Sequence, residues 1–322
     1  MRFSLGLVTS MPIRQSIVLS AIAEEADFHR VFVGEDILSR EVFTYLSVLA
    51  LRTRRVGIAT GITSPYVRNL AVLASSALIL QRVSDNRFDL GLGVGGLPEV
   101  QKLTGVAPRQ SVDKLRETTV TIRRLLRGET VTCAASDRAI ALQGFRFQKA
   151  NVRISKILFG VRGPRLLSLA GEVADGVIFS GSKRHLPESL HLVEDAAARI
   201  GRLSEELERI LWLPFIEGND PEDLDLARIV VATVIGSLPQ REVEAIPSLT
   251  RSEKVLRLIG AGDYRAAAPQ IPEEVVRDFC FFGSVDDILD EARKFESLGF
   301  RELVIGPPFG RRPEELLKTI GR

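Results

Sequence analysis

Cysteine is scarce in this 322-residue chain, where only Cys133 and Cys280 occur, far apart in sequence. Two such residues make no disulfide framework. With only His29, His185 and His191 beside them, no metal-ligand spacing forms either, so no structural zinc site is expected. Both cysteines are read as small reduced apolar residues and the three histidines as surface or capping residues. An excess of one charge is also missing. Lys+Arg number 43 and Asp+Glu 41, a formal net charge of +2, which is not the basic footprint of a nucleic-acid-binding surface. No apolar run approaches the ~18 residues of a membrane span, and no basic-plus-apolar leader precedes the first strand-like segment. A cytoplasmic protein with no nucleic-acid or membrane partner is expected. What the chain does have is the material for a core. Hydrophobic residues make up 45% and charged residues 26%, the balance of a globular protein.

Short apolar runs alternate with helical periodicity over most of the length. Phe3–Thr9, Val31–Gly34, Arg55–Ile62, Arg87–Val94, Lys156–Val161, Asp175–Ser180, Ile210–Ile216 and Glu302–Gly306 read as strands. Helical patterns follow them from Pro12, Glu41, Asn69, Ser111, Pro164, Leu186 and Pro313, and a Gly/Pro-rich loop separates Val94 from Ser111. A polar hairpin, Glu129–Cys133 with Ala139–Leu142, interrupts the rhythm once. The runs are rich in Val, Ile and Leu with no strict alternation, as expected of strands buried on both faces. Eight strands, each leading to a helix, predict an α/β protein, a parallel (β/α)8 TIM barrel, as one domain over 1–322. The stretch 217–299 is mostly helical without a convincing strand, and is read as a helical insertion before strand eight.

In such a barrel, chemistry belongs to the loops at the C-terminal strand ends. Gly91-Leu-Gly-Val-Gly-Gly96 matches G-x-G-x-x-G, but it follows the fourth strand and no helix opens directly after it. A dinucleotide fingerprint needs the first strand of a βαβ unit and an immediate helix. Gly93 and Gly95 are therefore read as room for another backbone or a flat ring at the strand end. Phe159-Gly-Val-Arg-Gly-Pro-Arg165 ends a strand in Gly-x-Arg-Gly and places Pro164 at the first helical position. Backbone N–H groups, the helix dipole and Arg162 or Arg165 would make an anion cradle there, with Gly160 and Gly163 giving it space. Ser180-Gly181-Ser-Lys183 could form a second wall. Thr60-Gly61-Ile62-Thr63-Ser64-Pro-Tyr66 ends strand three in a turn. Glu35 and Asp36 end strand two, and only one of two neighbouring residues can face the mouth. A carboxylate desolvated there could act as a general acid, while a solvated or ion-paired acid is the alternative.

Taken together these segments resemble the bacterial-luciferase-like flavin and deazaflavin oxidoreductases, most closely the coenzyme F420-dependent 5,10-methylenetetrahydromethanopterin reductases. Gly61-Ile-Thr-Ser-Pro-Tyr-Val-Arg68 is similar to that group's G-[IV]-T-N-P-Y-x-R segment. Gly160-Val-Arg-Gly-Pro164 with Leu169-Ala-Gly-Glu-Val-Ala-Asp-Gly-Val177 is similar to its phosphate-side turn and helix. In the insertion and beyond it, Ile229-Val-Val-Ala232, Ile259-Gly-Ala-Gly-Asp-Tyr264 and Gly306-Pro-Pro-Phe-Gly310 resemble reductase segments. The resemblance implies a barrel holding F420 in its mouth, the ring against strands three and four, around Gly61, Ile62, Thr63, Ser64, Gly93 and Gly95. It implies the phosphate tail near Gly160, Arg162, Gly163, Ser180 and Gly181, and a non-prolyl cis peptide at Gly61–Ile62. The implied reaction is hydride transfer between reduced F420 and a methylene-tetrahydromethanopterin-like one-carbon carrier, aided by an acid that protonates a pterin nitrogen.

Three positions depart from the reductase pattern. Val8 and Thr9 stand where the reductases carry a Glu, Gly96 where they carry an Asp, and Glu35-Asp36 where they carry Asp-His. Glu35, then Asp36 and Glu99, are the remaining candidates for the acid. Two other readings stay open beside the F420 enzyme. One is an FMN-dependent luciferase-like monooxygenase or flavin reductase; the other is a catalytically inactive cofactor-binding paralogue. The family pairs through the outer helices that follow the early strands, so a homodimer or homotetramer is expected.

Overall fold

Eight strands are short, apolar and hidden on both faces, and they close on one another in sequence order. The structure, a computed structural model, describes residues 1–105, 107–133, 141–148, 156–238, 240–250 and 252–321. The strands are β1 (Arg2–Val8), β2 (Arg30–Gly34), β3 (Gly57–Thr60), β4 (Phe88–Leu92), β5 (Ile157–Gly160), β6 (Gly176–Phe179), β7 (Glu208–Leu211) and β8 (Glu302–Ile305). All neighbours are parallel and the ring is closed by β1 against β8; Leu5 stands level with Val31 on one side and Ile305 on the other. This is the TIM barrel expected from the βα rhythm. The helices between strands are α1 (Ile13–Glu25), α2 (Val42–Arg52), α3 (Leu70–Val83), α4 (Ser111–Leu126), α5 (Pro164–Val173), α6 (Leu186–Arg199), α7 (Val285–Ser297) and α8 (Pro313–Ile320). Local chemistry sets several of their starts. Glu41 caps α2 by accepting from the N–H groups of Phe43 and Thr44, and Asn69 caps α3 through Ala71 N–H.

Two apolar layers result. The larger lies between strands and helices; the smaller fills the lumen with Phe32, Ala59, Leu158, Ile178, Ile210 and Val304, topped by the half-buried Ile62 and Trp212. Beneath the lumen, at the strand starts, the buried Arg30 guanidinium meets Asp89 at 2.6 Å, Glu208 at 2.6 Å and Glu302 at 3.1 Å. Ser4 donates to Glu302 at 2.6 Å and Lys156 to Glu208 at 2.5 Å, so these buried carboxylates are matched by cations and a hydroxyl. His29, expected at the surface, is instead half-buried against Arg30, 2.9 Å from its guanidinium.

Four expectations need correction. Strand seven is not one run: β7 ends at Leu211, and a separate strand, Phe215–Glu217, begins after Pro214. That strand pairs in parallel with Phe281–Gly283 and Phe309–Gly310 in a small second sheet. The span 217–299, expected without a strand, therefore contains one. It also contains α7, whose Ile288, Ala292 and Phe295 belong to the main core. Before α7, helices Pro221–Gly236, Glu253–Gly260 and Glu273–Phe279 gather a cluster of their own around Val231, Ile235, Val255 and Val276. The stretch between Val94 and Ser111, expected to be loop, holds a helix at Leu97–Thr104, closed by Gly105 at φ 74°. In the hairpin, Val131–Cys133 pairs antiparallel with Leu142–Phe145; Ala139, expected in the second arm, lies outside the described residues. No helix among the described residues is long and apolar enough to cross a membrane.

Candidate active site at the barrel mouth

The chain turns sharply at the end of β3, where the Gly61–Ile62 peptide is cis and non-prolyl, as the resemblance implied. Ile62 points at the glycines of the neighbouring strands: a Cβ on Gly160 would come within 2.6 Å of its Cγ2, and one on Gly93 within 2.9 Å of its Cδ1. Gly160 thus gives its side-chain space to the protein's own Ile62, while a Cβ on Gly93 would meet the Gly160 carbonyl at 2.5 Å as well as Ile62. Gly61 does the same for Trp212, whose Cη2 would lie 2.9 Å from a Cβ there. Ser64 donates to the Val94 carbonyl at 2.7 Å and sits against Gly95, so the ends of β3 and β4 form one continuous wall.

Glu35 holds that wall from outside. Its N–H donates to the Ile62 carbonyl at 3.2 Å, and its carboxylate accepts from Thr63 Oγ1 at 2.6 Å and from Arg68, which forms an ion pair with it. Only 3% of its side chain is exposed. Arg68 also reaches Glu41 at 2.8 Å and lies over the Phe43 ring. Burial works to lower the pKa of this guanidinium, but the bond and charge of Glu35, then Glu41, outweigh it and raise it. The placement makes Glu35 an anchor for the Ile62–Thr63 turn.

The other two acids are placed differently. Asp36 is half-buried, its N–H donating to Thr9 Oγ1 at 2.9 Å, and its carboxylate accepts only a long bond from Leu38 N–H, 3.3 Å, among the described residues. Glu99 lies in the first turn of the Leu97–Thr104 helix and folds back, so that its carboxylate fills the space a side chain at Gly96 would take. Neither forms an ion pair among the described residues. Glu217, which directly follows the run expected as strand seven, belongs to the second sheet.

Arg162, Gly163 and Ser180 come together as expected, in a cleft of about 280 Å³ that also takes in Pro164, Phe179, Ser182, His185 and Glu242. Gly163 needs its glycine: it opens α5 at φ 79° and no side chain caps the helix. Arg162 donates to Ser180 Oγ and Ser237 Oγ, both at 3.0 Å, and meets no carboxylate at ion-pair distance among the described residues. Burial lowers its pKa, and Glu242 nearby pulls the other way. Gly181 adjoins this group at φ 111°, with Arg162 Nε 3.9 Å from where its Cβ would be. The Ser237 hydroxyl spends its proton on the Val234 carbonyl at 2.7 Å, which leaves a cationic group, the Ser180 hydroxyl and uncapped helix N–H groups as the donor set of a phosphate site.

Residues 2–302 match the luciferase-like monooxygenase family. The chain belongs to that family. A 5,10-methylenetetrahydromethanopterin reductase of Methanolobus tindarius is 28% identical, covering 100% of this chain and 99% of its own. Among solved structures, the coenzyme F420-dependent tetrahydromethanopterin reductase from Methanopyrus kandleri superposes with a TM-score of 0.86 at 21% identity, over 100% of this chain and 97% of that one. An F420-dependent secondary alcohol dehydrogenase, solved with an F420–acetone adduct, gives a TM-score of 0.80 at 16% identity, over 99% and 97%.

Residue reading alone missed Trp212, Ser237 and Glu242. Trp212 had a signal: it is the chain's single Trp and directly follows β7, but a strand drawn on to Ile216 hid it. Ser237 and Glu242 come from the insertion, and nothing local in the sequence ties them to Arg162.

Proposed function

We propose that this protein is an F420-dependent oxidoreductase that transfers a hydride between reduced F420 and a methylene-tetrahydromethanopterin-like one-carbon carrier. The observation that carries the reading is Arg162: a half-buried guanidinium held by two serine hydroxyls, without a carboxylate partner among the described residues, beside an uncapped helix start. That donor set fits the phosphate of a flavin-like or deazaflavin cofactor, and the wall of 61–64 and 93–95, faced by Ile62 and Trp212, offers a surface for a ring to lie against. When bound, the deazaflavin supplies a two-electron hydride carrier. Arg162, Ser180 and the α5 N-terminus bind the phosphate and fix the register of the ring. Glu35 and Arg68 hold Thr63 and Ile62 so that the wall does not yield. Glu99 is the proposed acid, protonating a pterin nitrogen so that the carbon to be reduced becomes an electrophilic iminium. Its carboxylate takes the space a side chain at Gly96 would fill, the position at which the resemblance implies an Asp, which supports this choice over Asp36.

The test is direct. Purified protein is titrated with F420 and with FMN, binding is followed by cofactor fluorescence, and methylene-tetrahydromethanopterin is then offered to the reduced complex. Saturable F420 binding with re-oxidation on adding the pterin is expected. FMN binding alone would replace the reading with luciferase-like flavin chemistry, and F420 binding without turnover would make the protein an inactive paralogue.

The unit proposed for this work is the whole chain, 1–322. In support, the insertion is tied to the barrel by Arg162–Ser237, by Ser182 to Asp278 at 2.7 Å and by Lys183 to the Cys280 carbonyl at 2.8 Å. A homodimer or homotetramer is part of the same proposal, supported by exposed Leu51 on α2 and Val72 and Ile79 on α3; sedimentation equilibrium decides it.

A further inference from the structure

Trp212 leaves the end of β7 and reaches the end of β3, which lies four strands away by either path around the ring, on the opposite wall. Its indole N–H donates to the Gly306 carbonyl just after β8, at 2.7 Å, and its backbone N–H donates to the Phe179 carbonyl at 2.9 Å. Its benzo edge occupies the room left by Gly61 and by Gly6, where a Cβ would meet Cζ2 at 2.8 Å. Phe32 lies beneath, ring centroids 5.5 Å apart. One planar side chain therefore lies against β1, β2 and the turns that end β3 and β8 at once, and the residue is half-buried.

We infer that Trp212 is a positioning residue for the mouth, a brace across the lumen that fixes the Gly61 and Gly306 turns relative to each other and forms the floor on which a planar ligand ring comes to rest. With Ile62 it caps the apolar side chains that fill the lumen, and in this inference the depth of a bound ring is set by the upper surface of that layer. The indole N–H is the part that keeps the plane from tilting, because its acceptor is a backbone carbonyl and not a movable side chain. This inference rests on the proposed reading that the mouth receives a ring cofactor.

The wild-type protein provides the first test, because all indole emission comes from Trp212. Collisional quenching by acrylamide is measured with and without saturating F420, then FMN, using fluorescence lifetimes so that energy transfer to the cofactor does not enter. Covering of the indole predicts that the bimolecular quenching constant falls by at least about twofold when either cofactor is bound. Trp212→Phe, which keeps an aromatic floor, is expected to bind within about threefold of wild type, and Trp212→Ala at least about tenfold more weakly. Cooperative melting verifies that each variant is folded; if Trp212→Ala is not, the Phe variant and the quenching measurement decide. An unchanged quenching constant with cofactor demonstrably bound overturns the brace and leaves the functional proposal standing, as does a folded Trp212→Ala that binds like wild type. Absence of binding by both cofactors, read from their own fluorescence, overturns the functional proposal, and the brace falls with it.

Discussion

Gly160→Ala separates two explanations of the mouth glycines: space for the protein's own Ile62, or space for a ligand. A Cβ at 160 would come within 2.6 Å of Ile62 Cγ2, roughly 1 Å inside an ordinary carbon–carbon contact, and its next neighbours are also Ile62 atoms, at 3.7 Å. No backbone atom stands in the way, so the clash belongs to one side chain. Overpacking of this kind costs ~1–3 kcal/mol, or roughly 2–6 °C in Tm for a chain of this size. Ile62→Ala alone removes a half-buried side chain and is expected to cost ~1–2 kcal/mol. In the double variant the added methyl occupies space that Ile62 has vacated, so the cost should return to about that of Ile62→Ala, a favourable coupling of ~1–3 kcal/mol. Guanidinium unfolding of the four proteins without cofactor measures it. Additive losses, or a Gly160→Ala protein of unchanged stability but weakened cofactor binding, would refute the packing explanation and return Gly160 to the ligand.

Acid lability should depend on His29. Burial, then the charge of Arg30, lowers its pKa from 6.5 to about 4, so the folded state resists the proton that the unfolded chain takes up. Stability is lost as pH falls from 6.5 to 4, and His29→Gln, which keeps an acceptor for Arg30, should outlast wild type by ~2–3 kcal/mol at pH 4 in urea unfolding, with no difference at pH 7.5. Asp89 works in the opposite sense: burial raises it to about 6 against the pull of Arg30, so its contribution grows as pH falls from 6 towards 3.8 and partly masks His29 in the wild type. Arg162→Ala should leave Tm within about 2 °C but weaken cofactor binding at least about tenfold, read by fluorescence titration. Glu99→Gln should lower kcat by about 10²-fold or more with cofactor affinity kept. Glu35→Gln should instead cost ~1–3 kcal/mol of stability, because Arg68 loses its buried partner.

The architecture was legible because buried parallel strands announce themselves as Val, Ile and Leu runs, and because Gly and Pro mark where each ends. Strand seven shows the limit of that signal. Ile210–Ile216 is apolar throughout, yet Pro214 has no N–H for a ladder, and the run divides there into a barrel strand and a strand of another sheet. Reading through that proline moved the strand end from Leu211 to Ile216 and hid the floor of the mouth. Glu35 was legible as a carboxylate at a strand end, but its partner Arg68 lies in a different loop, and only folding brings the two together. Gly93 and Gly160 were legible as places of close approach, while the atoms approaching Gly160, those of Ile62, depend on how the β3 turn aims that side chain. The Arg30 cluster had no signature at all, since Asp89, Glu208 and Glu302 each sit at the start of a different strand.

The two ends of the barrel differ in how their charges are answered, and that difference bears on function. At the strand starts, Arg30 meets three carboxylates, Lys156 meets one of them, and the charge of Arg30 and the bonds of Lys156 outweigh burial to bring Glu208 down to about 2. Glu208 is thus an acid that stays ionised between two cations, an arrangement that holds strands in register, although Asp89 Oδ1 in the same cluster is buried without a hydrogen-bond partner. The candidate metal group of His29, Glu208 and Glu302 lies here too, but the Arg30 guanidinium already stands among its ligand atoms. At the mouth, Arg162, Asp36 and Glu99 have no opposite charge at bonding distance among the described residues. Half-buried charges left this way are costly unless something else completes them. Arg162 would be completed by an anion, and the carboxylates by a cationic centre. These are the requirements of a cofactor phosphate and of an iminium-forming pterin nitrogen, separated by the Ile62 and Trp212 layer from the Arg30 cluster below.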